Sequence, residues 1–409
     1  MYDELEMNQI RKPRLLFMVE AVTLAQVVRL ATLARSLPER DYEIHFASAR
    51  FDPLIFAGAT FGRWPIESVS PEDAERAVAW GLRVHGPTTL FRHAQADRAL
   101  FEKLQPDLIV SDLRWSLAAS APAAGIPVLS LCNAYWSPHA VRERFPLPDH
   151  PLVALLGVSI ADRFFPRALP AVFRHFAKPV DALRAAQGLP PLGSLEEVIA
   201  WGHRTLYADP PGLVPMGETL PGSHRFLGPV QWTPDLPAPP DSLGKHRPLV
   251  YATMGSSGNL KVLPAVLEAL AGLEVDVLLA TANRPVSGLP GNVHAVPYVR
   301  GDLAARRSAV VVSNGGSSTG YQALAEGTPV VGLPWNLDQY LASEAIEHAS
   351  AGVTVRSGGA TAGEVRAAVV RALEDPSLKA GAARVAEGMR GLDAAAAFRG
   401  VVDEVLGGR

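Results

Sequence analysis

Residues 310–339 read VVVSNGGSSTGYQALAEGTPVVGLPWNLDQ, and this stretch restricts the fold more than any other in the chain. Val310-Val311-Val312 is a β-branched apolar run, too short for a helix and typical of a strand buried in a parallel sheet. Residues 313–320 are serine, asparagine, glycine and threonine, which leave backbone N–H groups open where a helix, read as 321–326, begins. A strand, a glycine-rich turn and a helix N-terminus together favour an anion, because unbonded amides and the helix dipole both face it. Gly327-Thr328-Pro329 ends the helix, and 330–334 reads as a second short buried strand. Asn336, Asp338 and Gln339 follow its end. Open parallel sheets bind ligands beyond the carboxyl ends of adjacent strands, so the stretch predicts a diphosphate at the turn and a sugar beside it.

The same alternation runs along the whole chain. Strands are predicted at 15–19, 44–47, 108–111 and 128–131, with helices at 24–37 and 116–124 between them and a strand-like 225–230 closing this half. Residues 233–248 contain five prolines and almost no apolar side chains, the composition of a semi-rigid linker. Beyond it, strands at 249–253, 275–280, 293–296 and 352–355 alternate with helices near 262–270, 342–348, 361–374 and 377–406. Strands alternating with helices imply right-handed βαβ units and parallel sheets. The predicted fold class is therefore α/β, with two Rossmann-like domains facing across a cleft. The expected division is an N-terminal domain over 1–232, the linker 233–248, a C-terminal domain over 249–390, and a C-terminal helix in 391–409 that could return to the first domain.

Length agrees with two cores, since 409 residues exceed what one core usually supports. Lys+Arg 38 against Asp+Glu 41, with no basic block, argues against nucleic acid as a partner. One cysteine, Cys132, excludes an internal disulfide and suits a reducing cytoplasm. Residues 1–13 are polar and charged, which fits neither a signal peptide nor a membrane anchor, and no run is long enough for an integral membrane segment. The eleven histidines show no metal-ligand spacing.

With Met254-Gly255-Ser256-Ser257 upstream and Phe226-Leu227-Gly228-Pro229 before the linker, the 310–339 stretch resembles the nucleotide-sugar half of the UDP-glycosyltransferase-like family, which has the two-domain GT-B architecture. The resemblance is strong after the linker and weaker before it. It implies an inverting transfer of a sugar from a UDP- or dTDP-sugar to a small hydrophobic or aromatic acceptor, with no cofactor and no metal. A homodimer is left open. In the family's pattern, Asn314 stands where most members have a histidine donating to the diphosphate, and its amide can donate but cannot become positive. Gly315 and Gly316 let the backbone approach the ligand, while Ser318, Thr319 and Ser256 match phosphate contacts. Gln322 stands where many members hold the ribose with a glutamate. Asp338 and Gln339 match the pair on the sugar hydroxyls, and Tyr298 and Val299 the base platform.

In that family a histidine at the start of the first helix deprotonates the acceptor, and an aspartate after a later strand orients it. The matching dipeptide here is Ala25-Gln26, and glutamine has no proton-accepting nitrogen. Asp112 occupies the aspartate position. Four explanations stay open: another base, with Asp112, Glu20 and His139 as candidates; an acceptor acidic enough to need little help; a variant crippled at the histidine; or a protein that binds nucleotide sugar without transferring it. An epimerase of the same architecture would need more acids at the sugar than Asp338. Tyr135, Trp136 and His139 lie in an aromatic, polar segment suited to an acceptor wall. Residues 152–176 alternate phenylalanines with Arg163, Arg167 and Arg174, and read as a packing helix pair, an acceptor lid or a membrane-touching surface.

Overall fold

The computed structural model describes residues 11–408, so the first ten of the residues read as neither signal nor anchor lie outside it. Seven strands make the N-terminal sheet: β1 (Arg14–Val19), β2 (Glu43–Ser48), β3 (Gly62–Pro65), β4 (Leu108–Asp112), β5 (Val128–Cys132), β6 (Arg204–Tyr207) and β7 (His224–Phe226). Their order is β3-β2-β1-β4-β5-β6-β7, with every neighbouring pair parallel. The second sheet holds β8 (Leu249–Thr253), β9 (Asp276–Ala280), β10 (Val293–Val296), β11 (Val310–Ser313), β12 (Val330–Gly332) and β13 (Gly352–Thr354). Its order is β10-β9-β8-β11-β12-β13, again all parallel. This is the two-domain GT-B architecture.

The strand orders decide where ligands can go. In each sheet the winding reverses at one place, between β1 and β4 in the first and between β8 and β11 in the second. Helices leave such a point on opposite faces and open a crevice beyond the strand ends. Glu20, Gln26 and Asp112 follow the first reversal; Met254–Gly258 and Asn314–Ser317 follow the second. A single apolar cluster joins the halves, with Tyr135, Leu169 and Phe173 from the first and Tyr251, Val311, Tyr321 and Ile346 from the second.

Several helices differ from the sequence expectation, for local reasons. The helix expected at 321–326 spans Ser317–Ala325, so Ser318 and Thr319 lie in its first turn. The helix expected at 342–348 spans Leu337–His348, capped by the Asn336 side chain on the Gln339 amide, and this puts Asp338 in its first turn. Poor helix formers hide both starts, yet such residues are favoured at N-termini. The segment expected over 377–406 divides into Pro376–Met389 and Ala394–Gly407, separated at Gly391, whose φ of 75° ends the first. The expected strand 225–230 keeps only its first residues, as β7. The linker is stapled rather than loose: Arg307 donates to the carbonyls of Pro239, Pro240 and Leu243.

The helix Ala394–Gly407 packs on the N-terminal core. Phe398 is fully buried with its ring 6.1 Å from that of Phe17, and Arg399 pairs with Asp41. Phe398→Ala is expected to cost about 3–5 kcal/mol, the usual range for emptying a buried aromatic site. Urea unfolding should show the loss.

Candidate functional site

The first reversal point carries the catalytic candidates. Gln26, 7% exposed, turns its Oε1 back to accept the Thr23 backbone N–H at 3.0 Å, closing the N-terminus of helix Leu24–Ser36. The side chain at the family's histidine position is thus a helix cap. One turn along the same helix, Arg29 donates through Nε (3.1 Å) and Nη2 (2.8 Å) to Oδ2 of Asp112. Asp112 is fully buried, and its Oδ1 has no partner. Burial, reinforced by the negative charge of Asp338 and opposed by Arg29, pushes its carboxyl up to about 6.

Arg29 also starts a chain of buried bonds across the domain seam. Its Nη1 donates to Asn133 Oδ1 at 2.7 Å, and Asn133 Nδ2 donates to Asp209 Oδ1 at 3.0 Å. Asp209 Oδ2 accepts the Ala134 amide at 2.6 Å, and the Tyr321 hydroxyl donates to Oδ1. Burial raises Asp209 while the bonds from Tyr321, Asn133 and Ala134 hold it down. Tyr321 belongs to the helix that follows the glycine-rich turn, so this acid in the first domain is bonded to that helix of the second.

Glu20 is a poor proton acceptor. Its Oε1 takes the Val69 amide at 2.7 Å and its Oε2 takes Arg114 Nη1 at 3.0 Å. Burial favours its neutral form, but His85, Arg114 and His93 outweigh this and hold it near 2. Sequence spacing gave no metal set, whereas the fold gathers Glu20, His85 and His93 with ligand atoms within 4.8 Å of one another. Arg114 Nη1 lies 3.1 Å from His93 Nδ1 as well, so a fixed cation already occupies the polar centre of this group. Burial and Arg114 push His93 down to about 4. Both nitrogens of His85 and Nε1 of Trp115 are buried without a hydrogen bond, Nε2 of His85 lies 3.7 Å from Glu20 Oε1, and the His85 and Trp115 rings lie 4.6 Å apart. His139 stays outside this group; its ring meets that of His224 edge-on at 4.9 Å.

The second reversal point carries the donor candidates. Gly315 has φ 75°, and a Cβ there would lie 2.4 Å from Ser343 Oγ, so the turn admits no side chain. Asn314 Nδ2 donates to Ser257 Oγ at 3.3 Å and its Oδ1 accepts the Gly316 amide at 3.2 Å, joining the β11 turn to the β8 turn. Ser256 and Ser318 are exposed, Thr319 is half-buried, and Gln322 Nε2 donates to the Trp232 carbonyl at 3.3 Å. Gln339 is largely used by its own domain: Oε1 accepts from the Trp335 amide and Nε2 donates to the Ser257 carbonyl. Tyr298 is half-buried and Val299 buried just beyond β10.

Asp338 joins the two sets. Its Oδ1 accepts from Trp136 Nε1 at 2.7 Å and from the Tyr135 hydroxyl at 3.2 Å. The expected sugar-contacting acid and the expected aromatic wall therefore meet across the seam, close to Asp112. Sequence reading missed Arg29, Asn133, Asp209, Tyr321 and His85. Arg29 alone had a local signal, lying three residues beyond Gln26 on the same helix face.

Comparison with known proteins bears on the family and the fold. Residues 264–396 match the family described as erythromycin biosynthesis protein CIII-like, C-terminal domain. The chain is 44% identical over 382 residues to a PGL/p-HBAD biosynthesis glycosyltransferase of Mycobacterium tuberculosis, covering 92% of this chain and 89% of that protein. It is 42% identical over 382 residues to a PGL/p-HBAD biosynthesis rhamnosyltransferase of Mycobacterium bovis, covering 92% and 84%. The crystal structure of glycosyltransferase VinC in complex with DTDP superposes with a TM-score of 0.65 at 19% identity, covering 97% of this chain and all of that one.

Removing Arg29 isolates a buried acid. Arg29→Met is expected to destabilise the fold by about 3–5 kcal/mol, and Arg29→Met with Asp112→Asn by less than the single change, because no uncompensated charge remains. A double-mutant cycle by urea unfolding checks the order.

Proposed function

The chain belongs to the family-one glycosyltransferases of GT-B fold, and from that premise we propose that it transfers a sugar from a dTDP- or UDP-sugar, with inversion, to a phenol-like hydroxyl, with Asp112 as the proton acceptor. The observation that carries this reading is the bare Oδ1 of Asp112, on a carboxylate whose other oxygen is held by Arg29. The acceptor oxygen attacks the anomeric carbon and its proton passes to Oδ1. The bond from that carbon to the diphosphate breaks, and its electron pair leaves with the nucleoside diphosphate. The amides of the 314–319 turn meet the developing charge.

The chemistry favours an acidic acceptor. A carboxylate of pKa about 6 is a weak base toward an aliphatic alcohol, but a phenol near pKa ~10 loses its proton far more readily. The dTDP in the VinC complex and the rhamnosyltransferase among the relatives make dTDP-rhamnose the first donor to test, beside UDP-hexoses. His85 supports a second reading, with Nδ1 making no hydrogen bond and Nε2 facing Glu20 Oε1 at 3.7 Å. As base, His85 would carry the loss on substitution and Asp112 would not.

Asp112→Asn is expected to lower kcat about 10²–10⁴-fold, the usual scale for a general base. In the parent protein kcat/KM should rise with pH through about 6 as Asp112 loses its proton, and this limb should vanish in Asp112→Asn. His85→Gln serves as the contrast. Turnover with no acceptor, phenolic or aliphatic, despite a melting-temperature rise on adding dTDP or UDP, would instead identify a nucleotide-sugar binder. Asp338→Ala should weaken the intact sugar nucleotide more than free diphosphate in calorimetry; equal weakening would remove Asp338 from the sugar.

A further inference from the structure

We propose that the surface formed by residues 152–164, together with the basic stripe that continues from it, docks on an anionic lipid bilayer. None of residues 151–161 (PLVALLGVSIA) is charged. They form the helix Pro151–Leu156, a corner at Gly157 (φ 80°) and the start of the helix Val158–Ala185. Within thirteen residues, six large apolar side chains face outward: Leu152, Leu155, Leu156, Val158, Ile160 and Phe164, with Leu155 79% exposed. Single exposed apolar residues are ordinary, but a contiguous group of this size marks an interaction surface.

The display is built rather than frayed. Val153 and Ala161 turn inward with Leu147 and Phe165 to make a small core of their own, which fixes the leucines on the outside. The loop before the corner is clamped to the second domain. Asp149 accepts from Arg356 (2.6 Å), Tyr340 (3.0 Å) and Ser357 (3.2 Å).

Charge selects the partner. Arg163, Arg167, Arg174 and Lys178 are exposed, and their spacing of four, seven and four residues stacks them on one face of the long helix. None of the four is ion-paired among the described residues. The helix's own acids are engaged elsewhere, Asp162 with Arg144 and Asp181 with the Leu192 amide. A chain of formal net charge −3 thus presents an unneutralised cationic stripe beside an apolar corner. Basic residues flanking Leu, Ile and Phe on an amphipathic helix are the pattern that lies in the interface of anionic lipid. A second copy fits less well, because a two-fold contact centred here would oppose the two stripes. No helix among the described residues is long and apolar enough to cross a membrane, so the association would be peripheral. The opposite face of the same helix packs Phe173 against Trp136, at 6.2 Å between ring centroids, placing the docking face one helix away from the residue that holds Asp338.

The test is co-sedimentation of the full chain with vesicles of phosphatidylglycerol and phosphatidylcholine, against phosphatidylcholine alone. Binding is expected to the anionic vesicles, falling at high salt as screening weakens the stripe. Leu155→Glu with Ile160→Glu, and separately Arg163→Glu with Arg167→Glu, should each reduce binding at least tenfold. Both pairs are exposed, so an unchanged melting temperature and a retained dTDP-induced shift would show an intact protein. Failure of the parent to bind anionic vesicles, or equal binding by the variants, overturns the proposal. So does a parent dimer that the leucine–isoleucine variant converts to monomer without any vesicle binding. None of these outcomes depends on the acceptor or base assigned above.

Discussion

One guanidinium, that of Arg29, holds together two buried acids. It bonds Asp112 directly and reaches Asp209 through Asn133. Burial pushes both carboxylates toward the neutral form, and the bonds oppose that tendency without abolishing it in either. Because Asp209 also receives Tyr321 from the second domain, the ionic state of the first domain's crevice is tied to the position of the helix Ser317–Ala325. Buried ion pairs are weak evidence for stability, since desolvation cancels much of the attraction. Their value here is geometric: a half-bonded acid is kept at a fixed place in the seam.

The seam is closed by contacts of two kinds. Tyr135, Phe173, Tyr251 and Tyr321 share one apolar cluster that supplies area. Asp338 and Asp149 supply direction, each receiving donors from the other domain. Asp338 is the more consequential, since its carboxylate is occupied by Trp136 and Tyr135 at the position expected to meet a sugar. A sugar hydroxyl donating to Asp338 would either share Oδ1 with those groups or use Oδ2. The aromatic wall and the sugar contact are therefore one unit, and a change in either alters the other.

How much of this was legible in the sequence follows from the range of each signal. Buried parallel strands such as Val310–Ser313 and Leu249–Thr253 announce themselves in runs of three or four consecutive apolar residues. The β6 strand, Arg204–Tyr207, does not, because only Leu206 and Tyr207 of its side chains are apolar. The glycine turn was legible because its conformation is local, with Gly315 fixed by its own φ and by Ser343. The helix starts at Ser317 and Leu337 were not, because Ser, Thr and Gly weaken the periodic pattern at the first and Asn336 and Asp338 weaken it at the second. Asp209 sits before two prolines and reads as a turn; its importance comes from Asn133 and from Tyr321, the latter 112 residues away. Long-range polar pairs leave no trace in local pattern.

The glutamine at position 26 is easier to understand in this setting. A histidine there would rely on Asp112 as its orienting acid, but Oδ2 of that acid is already bonded by Arg29, a residue of the same helix one turn on. Gln26 meanwhile satisfies a backbone donor that would otherwise be left open at the helix start. The three residues therefore make a consistent alternative: the cap stays neutral, the cation sits one turn along the helix, and the acid keeps one oxygen without a hydrogen bond. Such an arrangement trades base strength for a fixed carboxylate, which suits an acceptor hydroxyl that is itself acidic. With Asp112 as the base proposed above, an aliphatic alcohol would need more help than a carboxylate of this pKa supplies, and on that proposal the identity of residue 26 and the class of acceptor are coupled through Asp112.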